Sequence, residues 1–229
     1  MKININKEVF DNFHSKFKIT FISVKGINNQ EKLKDSLHLL GEIQHLINLT
    51  FNKDQIKNHY LISPWAIAQA EFGKKAIHYQ TSVERLLKKT LSNKGIKTKD
   101  VLTNLLQYSA LKHIVPFGID DLDKIQGDLT FALSSGREKA VAFRNVKKNA
   151  LYYKDDKKVL GTKFDYWKNK KTMLDKNTKN ALIHFEILPP LNKSKTDLLI
   201  KDVTSLIKDF CGGKVKVFTL DKKNKSIKI

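Results

Sequence analysis

Hydrophobic and polar residues change rhythm twice along this chain. Phe17–Val24 (FKITFISV) alternates and is rich in β-branched residues, the pattern of a half-buried strand. Lys32–Thr50 shifts to helical spacing, with Leu33, Leu37, Leu40 and Ile47 on one predicted face. Pro64-Trp65 opens another helix, with proline in a tolerated first turn and Ser63 as the expected N-cap. Thr81-Ser-Val-Glu84 reads as a capping box ahead of Leu86, Leu87 and Leu91, and Gly95 marks the expected end of that helix. Asp100 caps a further helix through Lys112 that turns Leu102, Leu105, Leu106 and Ala110 inward.

After Pro116 the apolar runs become short. Leu129–Leu133, Lys139–Phe143, Ala150–Tyr153 and Lys158–Thr162 are strand candidates, with Ser134-Ser-Gly-Arg137 as a turn between the first two. Ala181–Leu188 (ALIHFEIL) is the strongest later strand, punctuated by Pro189-Pro190. Ser194–Phe210 returns to helical spacing, with Leu199, Val203, Leu206 and Phe210 as the predicted buried stripe, and Gly212-Gly213 stops it. Val215–Leu220 and Ser226–Ile229 are expected to pair around Asp221–Lys225 as a terminal hairpin. Early helices and later strands predict an α+β fold of mixed sheets with packed helices. No repeat and no Gly/Ser-rich linker divides the chain. Residues 1–229 are therefore read as one domain, helix-rich over 1–115, strand-rich over 116–190, with a C-terminal helix and hairpin over 191–229.

Composition adds a partner class to this outline. The formal charge is +20 on 229 residues, which points to an anionic partner, and nucleic acid is the expected one. Only Arg85, Arg137 and Arg144 are arginines, so the charge is carried by lysine and suits diffuse attraction better than bidentate base reading. Residues 151–229 hold 19 basic against 9 acidic side chains, and residues 1–150 hold 24 against 14. The densest basic window is Phe143–Ala181. No run approaches the roughly 20 apolar residues of a membrane span. The opening MKININKEVF lacks the apolar core of a signal peptide, so a soluble cytoplasmic protein is expected. The single cysteine, Cys211, excludes an internal disulfide framework and is expected to be a buried structural thiol.

Few residues are spaced for chemistry. Asp120, Asp121, Asp123 and Asp128 cluster, but Ile125 occupies the third ligand position of a calcium loop. The cluster is read instead as an N-cap at Asp120, a turn anchored by Leu122 and Ile125, and a stop at Gly127. Seven scattered histidines and one cysteine offer no zinc spacing, and neither a metal nor a cofactor is expected. No P-loop, Rossmann fingerprint or nucleophile elbow occurs. His184 and Glu186 fall on one side of their strand, either as a satisfied polar pair or as an acid and a base. Arg144, Lys148, Lys163, Lys168, Lys170 and Lys171 are interleaved with Phe164, Tyr166 and Trp167, and with Tyr152 and Tyr153. Such a stretch is either an RNA-binding face, where stacking is worth about 1–3 kcal/mol per base, or a strand face with aromatics inward and lysines outward.

Pro64-Trp65, Ser82–Leu87, Pro116–Asp128 (PFGIDDLDKIQGD), Tyr152–Asp156, Asp175–Leu182 and Phe185-Glu186 follow one another in a recognisable order and spacing. This series resembles the editing module, the third and fourth domains, of the bacterial phenylalanyl-tRNA synthetase β subunit and its stand-alone homologues. The likeness covers about Ser63 to Glu186, and more loosely the C-terminus. Lys163–Trp167 is similar to the basic–aromatic stretch of the stand-alone proteins. The resemblance implies a tRNA-binding module that hydrolyses tyrosine wrongly attached to the phenylalanine tRNA. Glu186 takes the position of the glutamate that recognises the tyrosine hydroxyl. The family histidine falls on Gly118, and of the family's glycine-rich stretch, matching about Gly161–Trp167, only Gly161 remains. Gly118, Gly161, His184 and Glu186 are thus the implied amino-acid pocket, and no catalytic residue is assigned.

Three functions follow as expectations. The first is a stand-alone tRNA-binding or aminoacyl-tRNA-binding protein, contacting RNA through the Arg144–Lys171 residues named above. The second is a trans-editing deacylase, and the third a binder of small amino-acid-like ligands without an RNA role. The aminoacylation motifs of a complete synthetase are missing, and no membrane or obligate protein partner is expected.

Overall fold

The computed structural model describes residues 1–12, 16–65, 81–92, 95–96, 98–141, 144–146, 148–162 and 167–229. In chain order the elements are β1 (Lys2–Ile5), α1 (Lys7–Asn12), β2 (Lys18–Lys25), α2 (Leu33–Thr50), α3 (Ser82–Thr90), α4 (Val101–His113), β3 (Phe117–Asp121), β4 (Leu129–Leu133), β5 (Lys139–Val141), β6 (Arg144–Asn145), β7 (Leu151–Lys154), β8 (Val159–Thr162), β9 (Trp167–Lys168), β10 (Asn180–Ile187), α5 (Lys193–Cys211), β11 (Lys214–Leu220) and β12 (Ser226–Lys228). Residues 63–65 are also helical, so Ser63 lies within the turn it was expected to cap; residues 66–80 are outside the described set.

A four-stranded antiparallel sheet, β11-β2-β10-β3, is the central layer. Successive side chains of a strand point to opposite faces, so each central strand serves two cores. Ile22, Val24, Ile183, Phe185 and Ile187 face the helices and pack with Leu40, Ile43, Leu102, Leu105, Leu199 and Val203. Ile19, Phe21, Leu182 and Leu220 face a six-stranded sheet, β12-β1-β4-β7-β8-β9, and pack with Ile3, Ile5, Phe131, Tyr153 and Leu160. The fold is α+β, and no described helix is long and apolar enough to cross a membrane.

The helix signals act as their chemistry demands. Thr81 accepts the Glu84 N–H, and Asp100 accepts the Thr103 N–H at 2.8 Å, each satisfying a donor that its helix leaves open. The α3 helix ends at Leu91, before Gly95. On α2 the buried stripe is Ser36, Leu40, Ile43 and Ile47, and Leu37 is 38% exposed. Ser36 is tolerated inside because its hydroxyl donates to the Leu33 carbonyl and accepts from the Asn104 amide. On α5 the fully buried residues are Thr196, Leu199, Val203, Ile207 and Cys211, while Leu206 and Phe210 are half-buried beside them. Burial pushes the Cys211 thiol up to about 12, which keeps it inert.

Strand pairing departs further from the sequence pattern. Strands β4 and β5 do not pair across Ser134–Arg137: β4 lies between β1 and β7, and β5 pairs with β6. Nor do β11 and β12 form a hairpin. After the Asp221 turn they enter different sheets, β11 against β2 and β12 against β1. Phe218 explains the choice, because pairing with β2 stacks its ring on Phe21 at 5.4 Å. The Pro116–Asp128 segment contains a strand that the sequence reading missed, β3, so Asp120 is not a cap. Asp121 caps the following turn, accepting the Asp123 N–H at 3.1 Å.

Candidate functional site

The β10 strand sends its even-numbered side chains toward the six-stranded sheet, which places Leu182, His184 and Glu186 on one face. His184 and Glu186 are each 1% exposed, and Nδ1 of the imidazole lies 2.9 Å from Oε1 of the carboxylate. Aromatic rings surround the histidine: Tyr153 at 4.9 Å and Phe131 at 5.3 Å, both edge-on, and Phe21 at 6.1 Å. The other carboxylate oxygen of Glu186, Oε2, has no hydrogen-bond partner among the described residues. A buried carboxylate oxygen without a donor costs free energy, so such a group is a candidate to receive one from a ligand. Glu186 lines a narrow recess with room for about one water molecule, about 10 Å³, whose other walls are Leu61, Trp65, Ile114, Val115, Pro116, Leu188 and Leu191. Apolar side chains around a single carboxylate suit one hydrogen-bond donor presented at the mouth of the recess.

Register explains the two glycines. Across the central sheet, Phe218, Phe21, His184 and Gly118 form one transverse row of paired residues. Directly opposed side chains stand about 4.5–5.5 Å apart, so a bulky residue at 118 would compete with the imidazole for the same space. Across the six-stranded sheet, Ile5, Phe131, Tyr153, Gly161 and Lys168 form a second row. Gly161 leaves the gap through which the Lys168 ammonium reaches over the Tyr153 ring, 4.9 Å from its centroid. That ammonium lies 2.5 Å from Oδ2 of Asp120, which also accepts the Tyr153 hydroxyl at 3.1 Å; Lys168 and Tyr153 touch as well. Asp120 is 1% exposed and its Oδ1 has no partner among the described residues. Two buried polar clusters therefore meet at Tyr153, one on each side of its ring.

Of the four implied pocket residues, Gly118, His184 and Glu186 come together and Gly161 sits one ring away, behind Tyr153. The RNA-contact candidates divide. Lys163, Phe164 and Tyr166 are outside the described residues, as is the side chain of Arg144. Lys148, Lys170 and Lys171 are exposed. Lys168 is only 15% exposed and is held by Asp120, so its charge is directed inward. Trp167 is half-buried, and Tyr152 and Tyr153 are buried, so these described aromatics serve the core. Sequence reasoning missed the recess walls and the Asp120–Tyr153–Lys168 cluster. The alternation of ALIHFEIL could place His184 beside Glu186, but nothing local announces which strand opposes it.

Residues 65–212 match the family model of the B3/4 domain. The chain belongs to the B3/4 domain family, which is found in phenylalanyl-tRNA synthetase β subunits. No curated protein matches the chain. A solved structure similar to it is an N-terminal fragment of the phenylalanyl-tRNA synthetase β subunit from Pyrococcus horikoshii, at 15% identity and a TM-score of 0.48, covering 93% of this chain and 49% of that one. The chain thus spans about half the length of that fragment. Within the B3/4 match lie all four implied pocket residues and both buried clusters, whereas β1, β2, β11 and β12 fall outside it.

Proposed function

We propose that this B3/4 protein binds tRNA or aminoacyl-tRNA, and that Glu186, at its recess, reads the donor group of the amino-acid side chain. The observation that carries this reading is the unpartnered Oε2 of Glu186 in an otherwise apolar recess, inside a module that occurs in a tRNA synthetase subunit. A carboxylate so placed selects an apolar side chain with a hydroxyl or amino donor, because a ligand without the donor leaves the oxygen unpaired. The high lysine content supplies attraction to the RNA backbone.

A second reading, trans-editing hydrolysis of a mischarged tRNA, is favoured by the 2.9 Å His184–Glu186 pair. Hydrolysis of an aminoacyl ester needs a positioned water and a stabilised oxyanion, and an imidazole oriented by a carboxylate is a competent proton acceptor.

One experiment addresses both. Purified protein is titrated with a panel of charged and uncharged tRNAs while release of each amino acid is followed. The expected result is binding that weakens steeply with salt and a preference for one charged tRNA, which Glu186→Gln removes by about tenfold or more, the scale of one lost charge-assisted hydrogen bond. No retention of tRNA at low salt, with a free amino acid bound instead, would replace this reading by the small-ligand one. Accelerated release of one amino acid selects the deacylase.

A further inference from the structure

Most described lysines with close partners lie on the helices or beside the buried clusters. Lys88 pairs with Glu84, Lys112 with Asp202, Lys124 with Asp121 and Asp175, Lys158 with Asp155, and Lys168 with Asp120. The C-terminal strands are different. Residues 214–229 carry six lysines against one acid, Asp221, whose Oδ1 accepts the backbone N–H groups of Lys223 and Asn224. In the central sheet Lys25 stands directly opposite Lys214, and in the outer sheet Lys2 stands directly opposite Lys228. All four are exposed. Like charges opposed across strands destabilise a sheet, so two such pairs are an electrostatic cost to the isolated fold.

The arrangement is fixed by backbone geometry. Gly213 has φ +84, and a Cβ there would lie 2.7 Å from the Lys25 carbonyl oxygen. Only glycine lets β11 enter this close to β2, and that entry sets Lys214 against Lys25. Lys216, two residues on, shares the face of Lys214 and opposes Ser23. The two lysine pairs point different ways: Lys25 and Lys214 share the strand face of Phe21 and Phe218, whereas Lys2 and Lys228 alternate with Ile3 and Ile227, which pack into the core between the sheets. Lys25 lines an open hollow of about 410 Å³ together with Met1, Leu122, Ile125, Asp128 and Ile229. Exposed acids border the hollow on its far side: Asp128 accepts the Lys2 N–H at 2.7 Å, Asp156 accepts the Asp128 N–H at 3.3 Å, and Asp123 accepts from the amide of Asn180, which stands opposite Lys25; none of the three lies on β11, where Lys214 and Lys216 stand.

We propose that Lys25, Lys214 and Lys216 form the surface that docks the phosphate backbone of RNA. This deepens the tRNA-binding reading above and rests on it. A polyanion laid between the opposed lysines converts their repulsion into attraction. Lysine ammonium groups without arginine suit phosphate contacts that position the RNA and leave its bases unread. The surface lies outside the B3/4 match and outside the basic window at residues 143–181. Selection of the amino acid and capture of the RNA are thereby assigned to different parts of the molecule.

The test compares two triple variants of equal charge change, Lys25→Gln/Lys214→Gln/Lys216→Gln and Lys148→Gln/Lys170→Gln/Lys171→Gln. All six lysines are exposed, and melting temperature checks that both variants fold. Affinity for unfractionated tRNA is measured from low to high salt. Each lost phosphate contact lowers the slope of log K against log salt by about 0.7–0.9, so the strand-side triple is expected to lower it by about 2 and the other triple by less than 1. A strand-side slope equal to that of the unmodified protein overturns this surface and leaves the tRNA reading standing. An unmodified protein that retains no RNA at low salt overturns both.

Discussion

The two faces of the central sheet are both buried but are built on different principles. Toward the helices β10 presents Ala181, Ile183, Phe185 and Ile187, every one apolar and fully buried. Toward the outer sheet it presents Leu182, His184 and Glu186, and the layer facing it contributes Tyr153 and Lys168. An apolar face holds a fold together by removing surface from water. A buried polar face does so only where every donor and acceptor is paired, and here Glu186 Oε2 and Asp120 Oδ1 are not paired among the described residues. Burial alone therefore does not say what a strand face is for. The unpaired polar atoms do, and they fall on the same side of β10 as the recess.

The largest stability loss is expected from the apolar face. Phe185→Ala deletes a ring with no measurable exposure and is expected to cost about 3–5 kcal/mol in urea unfolding, with any loss of tRNA binding recovered once the folded fraction is restored. A cost below about 1 kcal/mol would mean that the helix-side core is not what holds the sheet. The polar face is expected to behave differently under single and paired changes. Lys168→Met leaves the Asp120 carboxylate buried without its cation and should cost about 3 kcal/mol. Adding Asp120→Asn removes the orphaned charge, and the double variant should regain more than half of that loss. Additive costs in the double variant would show that the pair is not coupled and that the ammonium serves some other group.

The helix-side face was legible in the sequence because its signals are local. Capping side chains at Thr81 and Asp100 and the spacing of Leu102, Leu105 and Leu106 each act within a few residues. Alternation along ALIHFEIL was enough to place His184 with Glu186. The surroundings of that pair were not legible, because they depend on register between distant segments. Gly118 lies 66 residues before His184 and opposes it only through β3, whose Pro116–Asp128 segment reads as turn and cap rather than strand. Lys168 reaches Asp120 across two sheets, a contact that no spacing rule announces. The separation of β11 from β12 has the same origin. A plausible local hairpin loses to Phe21, a residue nearly 200 positions earlier that offers Phe218 a stacking partner.

The smallest expected effect tests whether polar contacts on the helix side are truly peripheral. Asp202 on α5 joins the end of α4 through Lys112 at 2.7 Å and His113 at 3.0 Å, and its side chain is 22% exposed. Partial burial works against the charged carboxylate, but the hydrogen bonds and charge of Lys112, with His113, outweigh it and hold its pKa below the ordinary 3.8. A carboxyl with a depressed pKa in the folded state contributes stability that is fully present above the ordinary value and is lost as pH falls from there through the lowered one. Asp202→Asn should therefore cost about 1 kcal/mol at pH 7, as a partly exposed ion pair does, and the difference from the unmodified protein should shrink below pH 3.8. Acidification below pH 6.5 weakens the fold as well, because burial holds the His113 pKa down, and this limb should deepen in the variant, which loses the Asp202 carboxylate that opposes that lowering. Urea midpoints measured from pH 7 to pH 3 check both limbs. A pH-independent cost, or one as large as that of Phe185→Ala, would show that the helix side also depends on buried charge, and the contrast between the two faces would fail.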